Sequence, residues 1–358
     1  MNDDFFRMIA EAAFSNPFSG ERIEVDRRIV GAPENAEWHD ILVPLLQALD
    51  SNLLELEASG GISVDTEGNE DARSLAVSVL FHVFHKYMER FDHLIQQQIG
   101  AGDDPCRAPF AFQCLEELIG YGFNRDEACR YVGMFYQIRR AYFFISKELV
   151  GDSPCMKQLR ARLWDNVFTH EIRWYERCLW NRMEDFSTLL LGETGTGKGA
   201  AAAAIGRSGF IPFNPNTQKF KESFTRAFVR INLSQYPESL IESELFGHRK
   251  GSFTGAIENH DGIFSKCSPC GAIFLDEIGD VSIPVQIKLL QVLQERTFSP
   301  VGSHEKFRFK GRVIAATNKS LDRLRREGTF RDDFYYRLCS DLITLPPLRQ
   351  RIRESSRD

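Results

Sequence analysis

The stretch "STLLLGETGTGKGAAAAAIG", residues 187–206, decides the fold. A short apolar run ends at Gly192, and an alanine-rich helix start follows Lys198. Glycines between them let backbone N–H groups turn inward, the helix N-terminus adds positive potential, and a lysine at the turn reaches outer phosphates. Gly192, Glu193, Thr194, Gly195, Thr196, Gly197, Lys198 and Gly199 therefore read as a phosphate cradle. Gly-x4-Gly-Lys is short enough to arise by chance. Its place between a strand and a helix is what gives it weight. Gly199 stands where a Ser or Thr hydroxyl would normally touch Mg²⁺, so metal binding must lean on acidic residues elsewhere and on water.

Downstream of the cradle, "FVRINL", "GAIFLDE", "RVIAATN" and "DLITLP" repeat the same grammar of four to six largely apolar residues bounded by polar or turn residues. Runs apolar on both faces suit buried parallel strands, and helical patterns such as "ESLIESELF" and "VQIKLLQVLQERTF" alternate with them. An α/β layered domain with right-handed crossovers is expected. Asp276 and Glu277 close "GAIFLDE": an aspartate at the edge of a buried strand can hold Mg²⁺ beside the cradle, and the next carboxylate can orient or deprotonate an attacking water. A helix cap at a strand end is the plainer alternative. Asn318, ending "RVIAATN", would lie between these elements and sense a γ-phosphate or place water. Asn232 could bond Glu277, or could simply form a turn. Arg331 and Arg337 in "FRDDFYYRL" offer the positive charge that phosphoryl transfer needs, as arginine fingers entering a neighbour's site; alternatively they pair with Asp332 and Asp333.

Between cradle and acidic strand lies "GHRKGSFTGA", Gly247 to Ala256, with three basic side chains and then Phe253 and Thr254 between glycines. Gly251 and Gly255 loosen the backbone where a helix or strand would have to propagate, so its conformation reads as a surface hairpin tip.

Residues 1–148 carry a different pattern. "ARSLAVSVLFHVFHKYMERFDHLI" and "DEACRYVGMFYQIRRAYFFISKEL" space apolar residues by three and four, which predicts a mostly helical region, with the breaker-rich "GAGDDPCRAP" between them. His82, His85 and His93 lie on or near one helical face, but without matching Cys or carboxylate company they read as packing or solvated residues and not as metal ligands.

At 358 residues the chain is long enough for two or three cores, and 43% hydrophobic with 26% charged residues describes an ordinary soluble protein. A net charge of −6 gives no global pull toward nucleic acid or anionic membrane. The acidic start "MNDDFFRMIA" is unlike a signal peptide, and no apolar run reaches the ~18 residues of a membrane span, so a cytoplasmic protein with no membrane association is expected. Eight scattered cysteines fit free thiols; Cys267-Ser-Pro-Cys270 has metal spacing but no second pair, and reads as a turn.

Taken together, "GETGTGKG", "ESELFGHRKGSFTGA", "GAIFLDEIG", "RVIAATN", "EGTFRDDFYYRL" and "LPPLRQR" resemble, in order, the central AAA+ domain of sigma-54-dependent transcriptional activators, the bacterial enhancer-binding proteins. The resemblance covers about residues 149–350. It implies an AAA+ P-loop NTPase sheet with flanking helices, preceded by a helical regulatory or sensory domain over 1–148. It also implies ATP and Mg²⁺, the latter on Asp276. By the same resemblance the protein is a ring-forming ATPase, usually a hexamer, that remodels RNA polymerase bound to sigma-54 so that promoter DNA opens. Gly251, Ser252, Phe253, Thr254, Gly255 and Ala256 would contact sigma-54, with Ser252 where the family commonly has Ala. The family often lacks a hydroxyl at the position of Gly199. Two departures stand out. "GRSGFIPFNPNTQKFKESFTRAF", residues 206–228, looks like an insertion. The sequence ends in a short tail, 351–358, where the family continues into a helical lid and a helix-turn-helix. Impaired ATPase and ring assembly, and no DNA-binding domain in this chain, are the corresponding expectations. Two alternatives stay open: an ATP-binding, hydrolysis-poor module that binds or titrates sigma-54, and an AAA+ remodeller of another client.

Overall fold

The structure is a computed structural model that describes residues 3–66, 68–170, 172–356 and 358; of the tail expected at 351–358, residue 357 lies outside the described residues. In chain order the helices are α1 (Asp3–Phe14), α2 (Gly20–Val30), α3 (Trp38–Gly60), α4 (Glu70–Ala101), α5 (Pro109–Gly120), α6 (Arg125–Glu148) and α7 (Pro154–Val167). They continue with α8 (Ile172–Trp174), α9 (Lys198–Gly206), α10 (Glu238–Phe246), α11 (Ile263–Lys266), α12 (Ile283–Glu295), α13 (Leu321–Arg326), α14 (Asp332–Leu338) and α15 (Leu348–Glu354). The strands are β1 (Thr188–Leu191), β2 (Phe213–Asn214), β3 (Lys219–Phe220), β4 (Phe228–Asn232), β5 (Ala272–Asp276), β6 (Thr297–Phe298), β7 (Phe307–Arg308), β8 (Arg312–Thr317) and β9 (Asp341–Thr344).

Two compact units divide the chain. The first runs to Phe143 and also takes in Phe168–Glu176 and Phe210–Ser223; the second comprises Phe144–Val167, Arg177–Gly209 and Phe224–Asp358. The first unit is helical, as the three- and four-residue spacing predicts. In α4, Val79, Val83, Phe91 and Ile95 fall on one stripe and are fully buried. Asn69 starts that helix by accepting from the Ala72 amide at 2.9 Å. His82 faces Asp50 at 3.1 Å, and the His85 Nδ1–H donates to the Phe81 carbonyl at 2.8 Å. Among the described residues no group of three His, Cys, Asp or Glu side chains could hold a metal ion.

The second unit is built on a five-stranded sheet of order β4-β5-β8-β1-β9, every neighbouring pair parallel. On one face Ile273, Leu275, Val313 and Ala315 pack with Leu289 and Leu293 of α12 and with Phe334 and Leu338 of α14. On α9, Ala201, Ala202 and Ala204 are fully buried, and that helix packs against β1, β5 and β8. Small side chains let α9 lie close to the strands, and its last residue is fixed by the same logic: a Cβ on Gly206 would stand 2.3 Å from the Phe228 ring. Strand β8, buried at every position, lies between β1 and β5 and brings the ends of all three together. Among the described residues no disulfide joins the cysteines, and the Cys267–Cys270 segment is a turn in which the Gly271 amide donates to the Ser268 carbonyl at 3.0 Å. Among the described residues no helix is long and apolar enough to cross a membrane.

Candidate functional site

The cradle sits where β1 hands over to α9. Gly195 and Gly197 hold φ of +83° and +94°, a region that side-chain-bearing residues enter at a cost of about 1 kcal/mol or more. The Thr196 hydroxyl donates to the Glu193 carbonyl at 2.8 Å, and a Cβ on Gly192 would lie 2.7 Å from that hydroxyl oxygen. Lys198 is 7% exposed, and its ammonium donates to the carbonyls of Gly192 at 2.8 Å and Glu193 at 3.1 Å. A buried cation held only by main-chain oxygens is stable enough to wait and is ready to exchange them for an anion. The α9 N-terminus adds amides without intrahelical partners beside it. A Cβ at Gly199 would meet open space, so nothing steric requires glycine there. Arg349 of α15 reaches Glu193 at 2.6 Å and, by that hydrogen bond, holds its carboxyl below the usual range.

The acidic edge lies across β8. Asp276 ends β5, its Oδ1 accepting the Glu277 amide at 3.1 Å, and Glu277 itself is left-handed with φ of 54°. That turn aims Glu277 at the end of β8: its Oε2 accepts from the Thr317 hydroxyl at 3.4 Å and from the Asn318 amide at 3.3 Å. The Asn318 side chain then donates from Nδ2 to the Thr194 hydroxyl at 2.9 Å. One residue thus connects the acidic strand to the cradle, which is the intermediate place the sequence assigns to it. Thr317 was not read from the sequence. Its signal lies in Gly279, where a Cβ would come within 2.8 Å of the Thr317 hydroxyl oxygen, so only glycine admits it. Lys319, also unforeseen, pairs with Asp280.

Asn232 stands in register with Asp276 across the β4–β5 pair. Its Oδ1 accepts from the amide and hydroxyl of Ser234, at 3.0 and 2.8 Å, and so closes a turn at the end of β4. Of the two arginines, Arg331 makes a two-pronged bond to Asp333 at 3.0 and 2.6 Å, which raises its already high pKa. Arg337 donates from Nε and Nη2 to the Leu293 carbonyl at 3.0 and 2.7 Å, satisfying a last-turn carbonyl of α12. Asp332 is engaged by Arg325 at 2.6 Å.

The glycine-flanked loop stands on a narrow neck. The His248 and His260 backbones exchange hydrogen bonds of 2.9 and 3.0 Å, and the Val301 amide donates to Gly247 at 2.8 Å while Arg249 donates to Val301 at 3.0 Å. Gly251 and Gly255 have φ of +81° and +104°, and the Gly251 amide donates to the Ala256 carbonyl at 2.8 Å, closing the tip as a tight turn. Phe253 is 36% exposed, its ring edge-on to His248 with centroids 4.9 Å apart. The His248 Nδ1 lies 2.6 Å from the Ser243 hydroxyl, so the ring under Phe253 is itself fixed. A second segment between β6 and β7 leans on the loop: a Cβ on Gly302 would meet that of Ser252 at 2.5 Å. That support was missed because two-residue strands leave no periodic signal.

The chain is similar to known proteins. The sigma-54 interaction domain family matches residues 172–344. The Nif-specific regulatory protein of Azotobacter vinelandii is 41% identical over 228 residues, which is 64% of this chain and 37% of that protein. The regulatory protein AtoC of Escherichia coli K12 is 44% identical over 170 residues, 48% of this chain and 34% of that protein. The chain therefore spans little more than a third of the length of these relatives. Among solved structures, NtrX from Brucella abortus in complex with ATP is 24% identical with a TM-score of 0.43, over 68% of this chain and 49% of that one.

Proposed function

We propose, from the match of residues 172–344 to the sigma-54 interaction domain family, that this chain is a cytoplasmic, ATP-dependent regulator that remodels sigma-54 RNA polymerase. The observation that carries the reading is the bridge from Thr194 through Asn318 to Glu277, which links a phosphate cradle to a carboxylate pair across one strand. Lys198 exchanges its carbonyl partners for the outer phosphates of ATP, and the amides at the start of α9 hold the inner ones. The Asp276 carboxylate accepts from an amide and the Glu277 carboxylate from an amide and a hydroxyl, and as adjacent hard oxygen donors they suit Mg²⁺. Asp276 with water would hold that ion, whose chemistry is to neutralise charge on the phosphate oxygens. Glu277 receives the proton of the attacking water, Thr317 and the Asn318 amide fix its carboxylate, and the Asn318 amide group responds to the γ-phosphate. Arg331 or Arg337 acts in a neighbouring subunit of a homo-oligomeric ring after leaving its present partner.

Phe253 and Thr254 are the sigma-54 contacts in this reading. Thr254→Ala is expected to keep ATP turnover and lose stable sigma-54 binding in the presence of a γ-phosphate mimic; equal binding by both proteins would sink the loop assignment. A hydrolysis-poor sigma-54-binding module is the second reading, favoured by the tie of Arg337 to Leu293. Turnover that rises cooperatively with protein concentration excludes it.

A further inference from the structure

We infer that the inserted hairpin Phe210–Ser223 is a strap through which the helical first unit sets the state of the cradle helix α9. The segment leaves the sequence of the second unit but is built into the first. Strands β2 and β3 pair antiparallel, Phe213 opposite Phe220, and Arg107 extends the pair by bridging Lys219. The Ala108 amide donates to the Gln218 carbonyl at 2.8 Å, and the Ser223 hydroxyl donates to the Gly102 carbonyl at 2.7 Å. The Tyr136 ring stacks on Phe220 with centroids 4.1 Å apart. Gly133, in the middle of α6, is open toward Phe210: a Cβ there would stand 2.7 Å from that ring. Glycine in a helix interior costs about 1 kcal/mol against alanine, so its presence is explained by the ring it admits.

Chain connectivity gives this grip its consequence. Only residues 207–209 separate the end of α9 from Phe210, and α9 begins at Lys198. On the return side Phe224 is fully buried against Phe144, with centroids 5.3 Å apart, just before β4 begins. A hairpin anchored by aromatic stacking and main-chain bonds in the first unit is therefore joined by three residues to the C-terminal end of the helix whose N-terminal end forms the proposed cradle. Releasing it loosens α9, and tightening it restrains α9, without any change in the site residues.

The inference depends on the proposed function only in taking 192–199 as the cradle. Hydrogen–deuterium exchange on the full chain without nucleotide tests it. In Phe220→Ala, and separately in Gly133→Ala, which wedges the Phe210 ring from the helix side, amides of 198–206 are expected to exchange about tenfold faster, with α12 unchanged. Faster exchange confined to 211–222, with α9 at the wild-type rate, overturns the inference. Should Phe220→Ala lose its fold, Gly133→Ala decides alone, since alanine favours the helix it enters. Absence of ATP binding by wild type would strike the proposed function and leave this exchange result standing.

Discussion

Lys198 is buried with two carbonyls and no carboxylate beside it, so its removal takes away a ligand without leaving a buried counter-charge behind. Lys198→Ala is therefore expected to weaken ATP binding by two orders of magnitude or more, roughly the loss of one charge-assisted phosphate contact, while thermal stability stays near wild type; calorimetric titration and melting check the two halves. Glu277→Gln keeps the amide-facing oxygen but cannot take a proton, and should bind ATP normally with turnover lost. Gly279→Ala tests the residue that sequence reading passed over: its Cβ would push Thr317 from Glu277, lowering kcat with little change in nucleotide affinity. The contrast explains what was legible here. The readings of Lys198 and Asp276 rest on residue type and motif, whereas Thr317 enters through a contact made by a glycine, and glycine has many other uses. His85 supplies a pH dependence of its own. Burial drives it down to about 3 from the ordinary 6.5, and His82 is lowered for the same reason. Below pH 6.5 the unfolded chain takes up protons that the fold refuses, so stability falls as pH drops from 6.5 toward 3 and gains nothing above that window. His85→Leu should flatten the melting temperature against pH between 6 and 4, with His82 sustaining a residual slope.

At the scale of elements, the main sheet was legible because each strand is a short apolar run and each connection a helical pattern. The small pairs β2–β3 and β6–β7 were not, since two residues carry no period. Yet β6–β7 bounds the segment that holds the glycine-flanked loop in place. Gly302 combines φ of +76° with contact on Ser252, so Gly302→Val meets both backbone strain and a steric clash. It is expected to displace the loop, seen as faster exchange or easier proteolysis at 251–256, with ATP binding preserved. The insertion at 206–228 shows the other side of the lesson: that it interrupts the pattern is visible in the sequence, but where it packs depends on Tyr136, Gly133 and Arg107, none of which lies near it in the chain.

At the scale of the whole molecule, a cut at residue 149, natural from the change in sequence grammar, would leave Phe210, Phe213 and Phe220 without the unit in which they pack. A protein beginning there is expected to aggregate or to bind a hydrophobic dye, and replacing 211–222 by a short Gly-Ser turn should cure it; light scattering distinguishes the two. The same interleaving dictates an order of events at birth. The last residues that the first unit needs emerge about 80 residues after Phe143, by which time β1, the cradle and α9 have already been made. At an elongation rate of about 5–20 residues per second, the helical bundle waits roughly 4 to 16 s for its final piece. The helical unit of such a chain cannot finish folding before the cradle segment and α9 have left the ribosome.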